Sequence, residues 1–134
     1  MSTEPRATLD RFTESHDPQF LTDDALFRDT SSGQDFRGRD AIGQMLDWFY
    51  HIAFDAHVED GETFLSEDGS RAAFRGRFVG THIGEFAGIP ATGRPVDVPL
   101  AVIYTINDDK ISGAEIYFQA AVAMRQLTAE GAPA

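Results

Sequence analysis

The stretch "ALFRDT" (25–30) carries a carboxylate one residue from its end, Asp29, which strand alternation sets on the same face as Phe27. A carboxylate held among apolar side chains has its charged form disfavoured, which suits it to taking up and returning protons. Asp before a turn also caps loops, and Ser31 and Ser32 stand within reach, so both readings are open. His82 alternates with Phe74 and Phe78 and therefore faces inward. It reads either as an acid or donor that titrates near neutrality, or as a buried ring bonded to backbone. Tyr104 and Tyr117 bring hydroxyls to a cavity, or pack in its wall with one satisfied hydroxyl. Glu115 and Gln119 share the Tyr117 face by alternation, and Gln119 ends "IYFQ" where the chain turns. Its amide can donate and accept hydrogen bonds at a pocket wall, or sit exposed near a helix start. His16, His51 and His57 have no metal-ligand spacing and the chain has no cysteine, so no metal site is expected.

These side chains need elements to position them. Residues 5–15 form a short helix candidate with Leu9 and Phe12 at i, i+3 spacing, and Asp17 can cap the turn that follows. "SSGQDFRGR" reads as a loop after the first strand. "DAIGQMLDWFYHIA" (40–53) is the strongest helix, with Ile42, Met45, Leu46, Phe49 and Ile52 in one apolar stripe. Trp48 lies one residue off that stripe and reads as core or cavity wall. Residues 54–67 and 71–84 form a hairpin by their turn chemistry, with Arg77 opposite Glu59 and Arg75 opposite Gly61. Residues 94–107 and 110–119 form a second hairpin through Asp108–Asp109, and a helix spans 120–127. Helices first, then an antiparallel meander, is an α+β pattern with helices on one face of a curved sheet.

The chain of 134 residues is expected to be a single domain over 1–134, ordered from about 5 to 127, with 128–134 a loose tail. Its net charge of -11 repels phosphate backbones and anionic lipid, so neither nucleic acid nor membrane is an expected partner. No apolar run approaches the ~18–20 residues of a membrane helix, and "MSTEPRATLD" lacks the apolar centre of a secretory signal. The expected location is the cytoplasm. Between 96 and 106 both strand faces are apolar apart from Asp97 and Thr105, which predicts a cover over the outer face, most simply a second subunit.

Three stretches, "DDALFRDTSSGQDFRGRDAIGQML", "THIGEFAGIPATGRPV" and "KISGAEIYFQAAVAMRQL", occur in order at suitable spacing. Through them the chain, over about residues 7–127, resembles the nuclear transport factor 2-like superfamily. More narrowly, it resembles the SnoaL-like polyketide cyclases and ester cyclases. The resemblance implies a cone-shaped half-barrel: a strongly bent antiparallel sheet of four to six strands, with about three helices over its concave face. It also implies a cavity for a small hydrophobic metabolite and a homodimer joined through the convex sheet face. Phe12, Phe27, Trp48, Phe74, Phe78, Tyr104, Glu115, Tyr117 and Gln119 are the expected substrate-binding residues, with Asp29 and His82 catalytic and no cofactor.

Asp29 falls where steroid-isomerase relatives keep a general base. Their donor tyrosine falls on Phe12 and their central-strand acid near Ala101, so a faithful ketosteroid isomerase is not expected. In the cyclases an aspartate at the last strand-to-helix corner moves the proton; here that corner is Gln119, which cannot. The resemblance therefore implies cofactor-free isomerisation, cyclisation or dehydration with Asp29 as base, or a ligand-binding member that has lost catalysis. An epoxide-hydrolase arrangement needs an Asp–Arg–Asp set in the cavity, and Arg75 and Arg77 read as outward.

Overall fold

A computed structural model describes residues 3–128, with side chains from residue 5 onward. Helix α1 (Thr3–Ser15) leads through a 3₁₀ turn (Pro18–Phe20) into β1 (Leu21–Asp29) and β2 (Gln34–Arg37). Helix α2 (Arg39–Asp47) continues as a π-helical turn (Trp48–Ala53) before β3 (Phe54–Leu65), β4 (Arg71–His82), β5 (Pro95–Asn107), β6 (Lys110–Phe118) and α3 (Ala120–Thr128). The six strands form one open sheet in the order β2-β1-β6-β5-β4-β3. All pairs are antiparallel except β1 with β6, so the sheet is mixed. This is the α+β cone fold that the resemblance implies, with helices over the concave face. Of the expected loose tail, Thr128 closes α3 and the rest lies outside the described residues.

Local chemistry accounts for the elements. Asp17 caps the 3₁₀ turn, its carboxylate accepting from the Gln19 N–H at 3.0 Å, with Pro18 at the first position where a missing N–H costs nothing. The segment expected as a loop after β1 pairs with it as β2. Gly33 turns the chain at φ 78, and Arg28 grips Asp35 with two bonds of 2.7 and 2.9 Å. Only Phe36 of β2 is apolar, so hydrophobic alternation gives no strand signal for this polar edge. The β5–β6 turn places Asp108 at φ 51 and Asp109 at φ 62, the left-handed pair that a two-residue hairpin requires. Thr8 of α1 donates its hydroxyl to Asp109 O at 2.8 Å and ties the helix to that turn.

The sheet bends where glycines permit it. A Cβ at Gly80 would collide with the Asp55 carbonyl and with Ala56, and one at Gly76 would lie 2.8 Å from Val58 Cγ1. A bulge in β3, with Asp60 at φ 56, slips the expected register by one residue, so Arg75 faces Glu62 rather than Gly61 while Arg77 still faces Glu59. The core fills the concave side: Leu9 and Phe12 from α1, Ile42 from α2, and Phe27, Phe54, Phe78, Val98 and Ile111 from the strands are all at most 2% exposed. Among the described residues no helix is long and apolar enough to cross a membrane.

Candidate active site

Two rungs of the sheet floor carry the chemistry. Phe27, Ala114, Tyr104 and Ala72 lie side by side across β1, β6, β5 and β4; one rung further along come Asp29, Ile116, Val102 and Phe74. Above them the floor, α1, the π-turn and α3 enclose a cavity of about 460 Å³. That volume is in the range of small-molecule sites. Its walls are mainly aromatic and aliphatic, with Trp48, Phe49 and Tyr50 contributed consecutively by the π-turn and Met124 by α3. Trp48, 38% exposed, stacks on Phe86 of the β4–β5 connection with centroids 6.1 Å apart, so both stand at the opening.

The π-turn corrects the expected helix face. An α-helix through 40–53 would turn Ile52 inward, but the wider turn leaves Ile52 55% exposed and buries Tyr50 and Ala53 instead. Tyr50 was absent from the expected site, although its spacing from Leu46 is i+4. His16 was also absent. It follows the end of α1 at φ 56, a left-handed position that His tolerates better than most residues. Its ring stacks obliquely on Tyr50 with centroids 4.6 Å apart and borders the cavity. Burial, aided by the nearby His51 charge, pushes the His16 pKa down to about 4, so it is neutral at pH 7.

Asp29 is half-buried and is the one acid that lines the cavity among the described residues. Its Oδ1 accepts from the Ser31 N–H at 3.0 Å and the Ser31 hydroxyl at 2.7 Å, and its Oδ2 accepts from the Ser32 hydroxyl at 3.1 Å. The loop-capping geometry and the cavity-facing position thus coexist in one residue. Tyr50 and Tyr104, 7% and 5% exposed, line the same space. Burial raises the pKa of both phenols, and for Tyr104 the neighbouring Tyr50 adds to it, so both are protonated at neutral pH.

Phe12, Phe27, Trp48, Phe74, Tyr104 and Asp29 all border the cavity. The remaining expected site residues do not. Phe78 is fully buried behind the wall, stacked on Phe49 at 4.6 Å. His82 is also fully buried, packed on Phe54, and its Nδ1 is bonded to Thr92. It faces inward as alternation predicts, but the aromatic wall separates it from the cavity.

Glu115, Tyr117 and Gln119 point to the opposite, convex face. Tyr117 donates to Glu115 there at 3.3 Å, and Tyr117 and Gln119 border an outer groove with Arg75 and Arg77. Alternation offers two sets in β6, and the apolar one, Ala114, Ile116 and Phe118, takes the concave face. Arg77 is held on the convex side by Asp97 at 2.6 Å, Asp60 at 2.9 Å and Glu59 at 3.2 Å. Among the described residues no cluster of three or more His, Cys, Asp or Glu is placed to hold a metal ion.

A mixed six-stranded sheet with three helices over its concave face is the ketosteroid-isomerase-like cone fold. The model of the SnoaL-like polyketide cyclase family matches residues 6–127, and the chain belongs to that family. No curated protein gives a significant sequence match. Among solved structures, a candidate polyketide cyclase of Xanthomonas campestris is 16% identical, with a TM-score of 0.84 over 94% of this chain and 98% of that one. A candidate polyketide cyclase of Pseudomonas putida is 19% identical, with a TM-score of 0.80 over 96% of this chain and 98% of that one. A phenazine biosynthesis-related protein of Pseudomonas aeruginosa is 16% identical, with a TM-score of 0.79 over 99% and 90%. At these identities the likeness is one of fold.

Proposed function

We propose that this protein binds a hydrophobic carbonyl-type metabolite and moves a proton on it, in an isomerisation, cyclisation or dehydration, with Asp29 as the group that takes and returns the proton. The observation that carries the reading is the Asp29 carboxylate itself, the one acid at the edge of a largely apolar cavity among the described residues. Ser31 and Ser32 fix its plane, and an Oδ2 lone pair is left for a substrate hydrogen. Proton transfer of this kind needs no cofactor. Gln119, at the strand-to-helix corner where the resemblance places the cyclase aspartate, borders the outer groove and is given no part in the proposed proton transfer.

A second reading is a non-catalytic binder, favoured by the three hydrogen bonds that already engage Asp29. Hydrogen–deuterium exchange at the α-carbons of a bound apolar ketone separates the two. Exchange catalysed by the wild type and abolished in Asp29→Asn supports proton transfer; exchange that survives removes Asp29 as the base. A ketone that binds without exchange leaves the binder.

The partner is proposed to be a second copy of the chain across the convex sheet face. Pro99, Ala101 and Ile103 of β5 lie on that face beside the 41%-exposed Tyr117. Sedimentation of the wild type against Ile103→Glu tests it. A two-chain mass that persists in the variant places the contact elsewhere. The net charge of -11 argues against nucleic acid and anionic membranes as partners.

A further inference from the structure

Tyr50 descends from the π-turn and Tyr104 rises from β5, and their rings are held by separate supports. Tyr104 meets Phe12 and Phe27 edge-on, each at 6.4 Å, while Tyr50 lies against His16 at 4.6 Å and Phe78 at 5.1 Å. Phe12 joins the two supports, its ring centroid 6.4 Å from Tyr104 and 5.7 Å from His16, on which Tyr50 rests. Neither hydroxyl bonds to another described residue, and neither is sealed off, since among the described residues the one fully enclosed side-chain polar atom without a partner is His82 Nε2. Both hydroxyls therefore open onto the cavity. Two phenol hydroxyls that no described residue engages, at the surface of an apolar cavity, are available as donors to a ligand acceptor.

We propose that the Tyr50 and Tyr104 hydroxyls form a two-donor site that grips the carbonyl oxygen of a ketone or aldehyde ligand. A carbonyl oxygen has two lone pairs and takes both donors at once, and it brings no proton of its own that would need a further acceptor in an apolar cavity. Asp29 stands two strands and one rung from Tyr104, roughly 12 Å across the floor at the usual strand spacing and rise. A ligand that touches both is thus longer than a simple ketone group, with its carbonyl at one end and its apolar body under Trp48 and Phe49. This inference rests on the proposed reading of the cavity as a small-molecule site, but not on catalysis by Asp29.

The test uses 2-acetylnaphthalene and, as its carbonyl-free counterpart, 2-ethylnaphthalene, with the infrared carbonyl stretch of the bound ketone as readout. The bound ketone should absorb at lower frequency than in hexane. Tyr50→Phe and Tyr104→Phe should each move the band back toward the hexane value and weaken ketone binding by about three- to tenfold. Binding of 2-ethylnaphthalene should be unchanged in both variants, which also shows that they fold. A bound ketone with a hexane-like band, or a shifted band that survives both substitutions, overturns the donor pair while leaving the cavity as a binding site. Failure of both naphthalenes to bind overturns the cavity reading together with the pair.

Discussion

The Thr92 backbone N–H donates to Nδ1 of His82 at 3.2 Å, and the Thr92 hydroxyl lies 2.8 Å from the same nitrogen. Backbone bonds from His82 N to Arg94 O and from Gly93 N to His82 O, each 2.9 Å, complete a latch across the base of the 83–94 connection. Phe86 of that connection roofs the cavity. His82 thus acts on the site through the segment it holds.

Thr92→Val should release part of this latch by removing the hydroxyl while leaving the backbone N–H. A lost hydrogen bond at a buried ring costs about 1 kcal/mol, measurable by urea unfolding. Amide exchange across 84–93 should accelerate more than exchange in β5, since the bond restrains that connection directly.

His16 should make the protein acid-sensitive. Its folded pKa of about 4 lies below the unfolded value of 6.5, so the unfolded chain binds the proton more tightly between them. Stability from this group is complete above about pH 6.5 and declines as the pH falls toward 4, by on the order of 3 kcal/mol. His16→Phe should flatten that part of the curve, read as urea midpoints at pH 7 and pH 5.

Gln119→Asp should behave as a surface change. Gln119 precedes α3, and its carbonyl accepts from the Val122 and Ala123 N–H groups at 3.0 and 3.2 Å, so an aspartate there becomes a helix cap. A gain of up to ~1 kcal/mol is expected, with ketone binding unaltered. A change in ligand affinity would contradict the outward placement.

Gly80→Ala and Gly43→Ala should have opposite signs. A Cβ at Gly80 meets the Asp55 carbonyl and Ala56, both main-chain neighbours in β3, and should cost about 3 kcal/mol or prevent folding. At Gly43, inside α2, the nearest atom is Pro18 Cγ at 3.4 Å, and the better helix propensity should add up to ~1 kcal/mol. Thermal midpoints of the two variants decide this.

The hairpins and the core were legible because Phe74, Phe78, Val98 and Val102 repeat at the strand period and Asp108–Asp109 has turn chemistry. Three features were not. The β3 bulge moves Arg75 to Glu62 through one left-handed residue, Asp60, which no periodicity announces. The π-turn exchanges Ile52 for Tyr50 and Ala53 because one extra residue per turn is invisible to a helical count. Strand β6 has a polar aromatic, Tyr117, on one face and Ile116 with Phe118 on the other; chemistry-bearing side chains drew the expected site to the wrong face, where burial of Phe118 decides. The site was half legible: Asp29 and Tyr104 lie on regular strands, while His16 and Tyr50 sit at a helix end and a π-turn.

The parallel pairing of β1 with β6 has a kinetic consequence. The Thr30 N–H and hydroxyl both donate to Ile116 O, at 3.0 and 2.7 Å, joining residues 86 apart in the chain. The β3–β4 and β5–β6 hairpins can form as soon as each is made, but β1, with Asp29 opposite Gln34, has only the short polar edge strand β2 beside it until β6 exists. Closing so long a loop is slow relative to hairpin formation. During synthesis, then, the acid-bearing strand is made early but joins the rest of the cavity floor only after β6 has emerged.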